Sequence, residues 1–178
     1  VADRTVGDAQ LSSGAADSFY VGRTENRANV TQRALLRFDL SGVPCGSTVQ
    51  SASLTLTLFA SGAGVTSPVI DMHRVTRAWS EGFSGSGGGA GATSGPGDSD
   101  WYFAVNPTVQ WTNPGGDFVA TVSATRQVPR TITTYTWGSN AQLLQDVQTW
   151  INQPAANFGW LLKAANEVTP GSARKFWS

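Results

Sequence analysis

Between residues 52 and 58 every second position is apolar: Ala52, Leu54, Leu56 and Leu58 alternate with Ser53, Thr55 and Thr57. A period of two marks a β-strand with one dry face and one wet face. Upstream, Ala34, Leu36, Phe38 and Leu40 share one parity while Arg33, Arg37 and Asp39 share the other, so the two runs can bury their apolar faces in one core. Leu56, in the middle of the clearest run, is expected at its centre. The link 41–48 consists almost entirely of turn formers, and its Cys45 is expected as a buried, inert thiol. Shorter strands are read at 4–6, 18–23, 69–76, 117–122, 133–137 and 158–163, with a further one starting at Arg174. Within 69–76 the alternation fails, because Ile70 and Met72 have one parity and Val75 the other. A β-bulge near His73 is the simplest repair. A different period runs from 143 to 151, where Leu143, Leu144, Val147, Trp150 and Ile151 recur at helical spacing. Ser139 or Asn140 can cap this helix, Gln142 follows Ser139 at capping-box distance, and Pro154 stops it, giving one helix over about 140–152.

Composition narrows the class. The chain has 178 residues, 20 of them Gly, and only 13% are charged. That is about half the usual charged share and suits strands and turns better than surface helices. One all-β sandwich domain over 1–178, with a single core, is the expectation. Net charge is zero and the arginines are scattered singly, which excludes the footprint of a nucleic-acid or anionic-membrane binder. No apolar run approaches the ~20 residues of a membrane span. One cysteine and one histidine leave no internal disulfide and no zinc cluster, so His73 is read as a packed, hydrogen-bonded side chain.

The candidate chemistry is concentrated after residue 80. Residues 82–97, dominated by Gly, Ser and Ala, form the centre of a long Gly/Ser-rich loop at about 80–100. It has neither a P-loop ending nor a G-x-G-x-x-G. Asp98-Ser99-Asp100 offers two carboxylates to calcium, but without the Gly and closing Glu of an EF-hand loop no ion is assigned, and solvated loop carboxylates are expected. No cofactor is implied. Trp101, Tyr102, Phe103 and Trp111 then follow within eleven positions. They form either a sugar-stacking platform, with Trp101, Tyr102 and Trp111 as the glycan contacts, or a hydrophobic hem that pins the long loop to the sandwich. Asn29-Val30-Thr31 has the form of a glycosylation acceptor and is read as chance.

Taken together, the run 33–41, the turn with Pro44 and Gly46, the run 51–56 and Trp79-Ser80-Glu81-Gly82 resemble the DNRLRE family of extracellular β-sandwich modules, which is close to carbohydrate-binding module family 96. The likeness continues through 111–118, 135–139, the helix, and 152–162 with Pro154 and Trp160. The resemblance implies a jelly-roll-like antiparallel sandwich with one short helix, an extracellular or cell-surface setting, and no catalytic role. Relatives close with Arg-x-Phe-x-Ser-Arg-Glu and a final strand. Here Arg174 and Phe176 are followed by Trp177 and Ser178, so the sandwich is expected to lack its closing strand.

Two functions follow from this reading. The first is a non-catalytic structural or assembly module of a cell-surface or filament protein, in which the stretch Arg4-Thr5-Val6 of one copy pairs with the open edge of another. The alternative is a carbohydrate-binding module for an extracellular polysaccharide. No G-x-S-x-G, H-E-x-x-H or Cys-His arrangement supports an enzyme.

Overall fold

The computed structural model describes residues 2–7, 10–25, 30–85 and 91–178, with the backbone alone for 2–7; Asn29 of the acceptor-like triplet lies outside the described residues. Its first half runs β1 (Ala2–Gly7), β2 (Leu11–Ser12), β3 (Ser18–Arg23), β4 (Thr31–Arg37), β5 (Leu54–Ser61), β6 (Val69–Val75) and β7 (Ala92–Thr93). The second half runs β8 (Phe103–Val105), β9 (Val109–Gln110), β10 (Phe118–Gln127), β11 (Thr134–Trp137), α1 (Ala141–Asn152), a 3-10 turn (Pro154–Ala156), β12 (Trp160–Ala164) and β13 (Arg174–Trp177).

Eight strands form one curled antiparallel sheet in the order β10-β6-β12-β4-β3-β13-β5-β11, and its two end strands curl round to approach each other. The result is a sandwich-like all-β fold with one α-helix among the described residues. The fold turns its corner at β3. Gly22 and Arg23 pair with Gln32 and Thr31 of β4, whereas residues 18–21 pair with β13. Gly22 adopts φ +113, and a Cβ there would lie 2.8 Å from the Ser172 carbonyl oxygen, so only glycine fits this corner.

The two sequence runs with the clearest alternation are not neighbours. β4 pairs with β12, β3 and β1, and β5 pairs with β13 and β11. They meet across the interior, where Ala34 and Leu36 face Leu54 and Leu58 in a cluster with Phe19, Met72, Trp137, Trp160 and Phe176. Within β5 the alternation holds, but depth does not follow its midpoint: Leu58 is fully buried while Leu56 is only partly covered.

A second, smaller cluster corrects the expectation of a single core. Leu35, Val75 and Leu161 point to the opposite face of β4, β6 and β12, where Trp79, Ala104 and Trp111 cover them. This explains the lost alternation in β6. Ile70 and Met72 enter the first cluster and Val75 the second, so the strand is buried on both faces. Its ladder to β12 is regular, and the extra residues lie in the partner strand β10, where Val122 opposes His73 but Phe118 already opposes Val75. The expected bulge therefore belongs to β10. His73 is buried, its Nδ1 lies 3.0 Å from the Val119 carbonyl oxygen and its ring rests 4.9 Å from Phe118. Burial lowers its pKa and keeps the imidazole neutral at neutral pH.

The helix is capped by Asn140, whose Oδ1 accepts the Leu143 N–H at 2.9 Å. Ser139 accepts the Ala52 N–H instead, so the capping box is not used. Asp146, buried in α1, ties the helix to the sheet. Its carboxylate accepts Ser123 Oγ–H and the Trp160 indole N–H and pairs with Arg74 at 3.3 Å. Arg174 is fully buried, and among the described residues no carboxylate pairs with it. Its guanidinium donates to the carbonyl oxygens of Val128, Ala173, Val65 and Thr66 at 2.9–3.1 Å, and burial lowers its pKa to about 10, leaving it charged at neutral pH.

Candidate functional site

Three places hold most of the residues that the sequence singles out, together with an exposed aromatic pair. The first is the segment 94–118. Asp98 and Asp100 are buried, against the expectation of solvated carboxylates, and their oxygens are taken up inside the loop. Asp98 accepts the N–H groups of Phe83, Ser84 and Gly95. Burial alone would raise its pKa, but these donors outweigh it and hold the carboxyl below the usual range. Asp100 accepts from Tyr102 N, Phe103 N, Ser94 Oγ and Asn106 Nδ2. Among the described residues no group of three or more His, Cys, Asp or Glu side chains could hold a metal ion.

The aromatic residues of this segment do not form one open surface. Trp111 is 6% exposed, belongs to the second cluster and donates its indole N–H to the Asp100 carbonyl at 2.9 Å. Trp101 packs against the same cluster with the Arg33 guanidinium 4.7 Å above its ring. Arg33 is held by Glu167 through two hydrogen bonds at 2.7 and 2.8 Å and by the Gly115 carbonyl. Tyr102 remains exposed beside them. The segment is built as a hem.

The second place is the outer face of β3, β13 and β5. Alternation turns Phe19, Phe176 and Leu58 inward, so Tyr20, Lys175, Trp177 and Phe59 take the other face on three neighbouring strands, where Phe59 and Trp177 are exposed and Lys175, only 7% exposed, is covered beside them. Phe59 and Trp177 are 41% and 43% exposed with ring centroids 4.2 Å apart. The Lys175 ammonium sits 4.6 Å from the Phe59 ring and 5.6 Å from Tyr20, within the range of a cation–π contact. Burial raises the Tyr20 phenol pKa, so its hydroxyl remains a donor at neutral pH. No sequence window contains this patch, because it is assembled from residues 20, 59, 175 and 177.

The third place flanks Phe38-Asp39-Leu40. One cleft of about 440 Å3 lies between the β4–β5 connection and the end of α1; another, of about 430 Å3, opens on the far side against Leu54, Val147 and Trp160. Cys45 lines the first cleft and is exposed, contrary to the buried thiol expected for it. Trp79 is buried, donating its indole N–H to the Phe158 carbonyl at 2.7 Å. Arg4, Thr5 and Val6 lie in β1, which pairs along β4 of its own chain: Arg4 opposite Leu35, Thr5 opposite Ala34 and Val6 opposite Arg33. The strand expected to start at Arg174 is β13, bonded on both sides.

Residues 1–83, a little under half of the chain, match the family model of carbohydrate-binding module family 96. No curated protein matches the chain. The matched span supplies Tyr20 and Phe59 of the aromatic face and residues 38–45 and 52–55 of the clefts, whereas Trp101, Tyr102 and Trp111 fall outside it. No helix among the described residues is long and apolar enough to cross a membrane.

Proposed function

We propose that this protein is a non-catalytic carbohydrate-binding module that recognises an extracellular polysaccharide through the face formed by Tyr20, Phe59, Lys175 and Trp177. The match of residues 1–83 to a carbohydrate-binding family carries the reading. The resemblance of the later segments to DNRLRE modules agrees with it and with a secreted or cell-surface setting. The chemistry of the face fits the ligand class. A pyranose ring has apolar C–H faces, which the exposed Phe59 and Trp177 rings can cover, while Lys175 beneath them leaves a positive charge at the face that favours polar and acidic sugar rims. Stacked aromatics on a sheet are rigid, and little side-chain entropy is lost on contact.

Affinity electrophoresis through gels containing neutral and acidic polysaccharides tests this. The protein is expected to be retarded by at least one polymer. Phe59→Ala and Trp177→Ala should each weaken that retardation about tenfold, equivalent to about 1.4 kcal/mol, with little change in melting temperature because both rings are exposed. Migration unaffected by every polymer, with regular polymers visible by negative stain, would replace this reading with the structural one.

A further inference from the structure

The two sides of β5 are paired unequally. On one side β11 covers the first half of the strand, with residues 54–57 opposite residues 134–137. On the other side β13 covers only the second half, and that ladder ends where Phe176 meets Leu58. Among the described residues no strand is paired with that side of residues 54–57. The Leu58 N–H donates to the Thr133 carbonyl, on the β11 side. Backbone groups of successive strand residues point to alternate sides, so the N–H and C=O of Thr55 point away from β11, to the uncovered side. The Thr55 hydroxyl is engaged separately, 2.8 Å from Thr136 Oγ1.

That side opens into a groove. A cavity of about 280 Å3 lies between residues 54–57, the end of β4 and the end of β13. It shares Phe38, Leu54 and Thr55 with the cleft of about 430 Å3 that continues past Ala52. Together they follow residues 52–57, which at the rise of a strand span about 20 Å. The end of β4 forms one lip and the start of β5 the other, and the two strands are not bonded to each other. Leu36, Phe38, Leu54 and Leu56 make the floor apolar. Asp39, at the far end, is the one charged side chain lining either cavity. Its carboxylate accepts the Ser41 N–H at 2.8 Å, which lowers its pKa and keeps it ionised at neutral pH.

Unpaired backbone groups beside an apolar trough select the ligand. An aliphatic chain would fill the trough but leave Thr55 unpaired, whereas an extended peptide bonds to the strand edge and sends alternate side chains inward. A segment continuing the line of β13 runs antiparallel to β5, from residue 57 towards residue 52, and its last residue comes to Asp39. We propose that this groove accepts an extended peptide segment of a partner protein, about six residues long, as a strand added to β5, with apolar side chains at alternate positions and a basic residue at the end beside Asp39. The site goes beyond the aromatic face and stands whether or not that face binds a polymer.

Amide hydrogen exchange resolved by NMR tests this. In the free protein the Thr55 N–H should exchange far faster than that of Leu56, which faces β11. The peptide Ac-Thr-Val-Thr-Val-Thr-Lys-NH2 should slow exchange at Thr55 about tenfold or more and give cross-strand Overhauser contacts to it. The same peptide N-methylated at its threonines, which keeps the side chains but removes the donors, should have no effect, and neither should one with glutamate in place of valine. Thr55→Pro deletes the N–H without removing a bond to β11 and should abolish binding, with a thermal melt confirming that the variant is folded. Phe59→Ala should bind the peptide as the wild type does, which separates this groove from the aromatic face. Equal protection of Thr55 and Leu56 in the free protein, no response to the peptide, an equal response to the N-methylated or glutamate peptide, or occupation by dodecyl maltoside but not by the peptide would each overturn the proposal.

Discussion

Leu58 and Leu56 are chemically identical, lie two residues apart on the same face of β5, and differ in what lies over them. Leu58 is fully enclosed, so Leu58→Ala should cost about 2–5 kcal/mol. Leu56 borders an open cleft, so Leu56→Ala should cost roughly 1–2 kcal/mol. Urea denaturation of both variants checks the ordering, and equal losses would contradict the assigned burial. Period-two patterning could show which face each leucine takes, because face is a local property. It could not show depth, which depends on strands distant in sequence. Gly159 makes the same point through the backbone. It adopts φ +77, and a Cβ there would sit 1.9 Å from the Leu36 carbonyl oxygen. Gly159→Ala is therefore expected to cost about 3 kcal/mol or more, combining left-handed strain with a backbone collision, visible as a large fall in melting temperature. Nothing in the sequence around Phe158-Gly159-Trp160 names that partner.

At the scale of elements, α1 was legible because its cap, period and stop are all local. The segment 94–118 was less so. Its aromatic residues were conspicuous, but choosing between platform and hem required knowing that Leu35, Val75 and Leu161 have an uncovered face to offer. Its carboxylates set an acid limit. Asp98 and Asp117 are depressed below their ordinary pKa, since the effect of burial is outweighed by donors from Ser84, Gly95 and Phe83 for Asp98, and by Thr112, Asn113 and Arg77 for Asp117. In each case the unfolded chain takes up its proton first. The stability they contribute is thus complete above the unfolded-state value near pH 4 and is lost as pH falls through the lower folded-state values. Thermal melts at decreasing pH should show the fall beginning below about pH 4, and it should be blunted in Asp98→Asn. A melting temperature flat to pH 2 in the wild type would contradict the assignment.

For the whole molecule, the all-β class could be read from low charge and abundant turn formers, while strand adjacency could not. The aromatic face depends on β13 lying between β3 and β5, a placement no local pattern encodes. Arg174 marks how closely that placement is fixed. Its buried guanidinium joins β13 to carbonyls of residues 65, 66 and 128. Arg174→Lys keeps the charge but not the planar fork, and should cost about 3 kcal/mol or more by stranding those carbonyls, measured by chemical denaturation. A loss under about 0.5 kcal/mol, as for an ordinary surface change, would contradict it.

The placement of β13 also fixes when the protein can fold. Arg174 pairs with Val21 and Trp177 with Ser18, partners on the order of 150 residues apart, the kind of topology associated with slow folding. β3 and β5 emerge from the ribosome long before the strand that must lie between them, so each waits with an unpaired edge until residue 177 has been made. Force-sensing arrest assays on ribosome-bound chains should detect no folding at lengths that leave residues 174–177 inside the exit tunnel, and a single sharp folding event once they are clear.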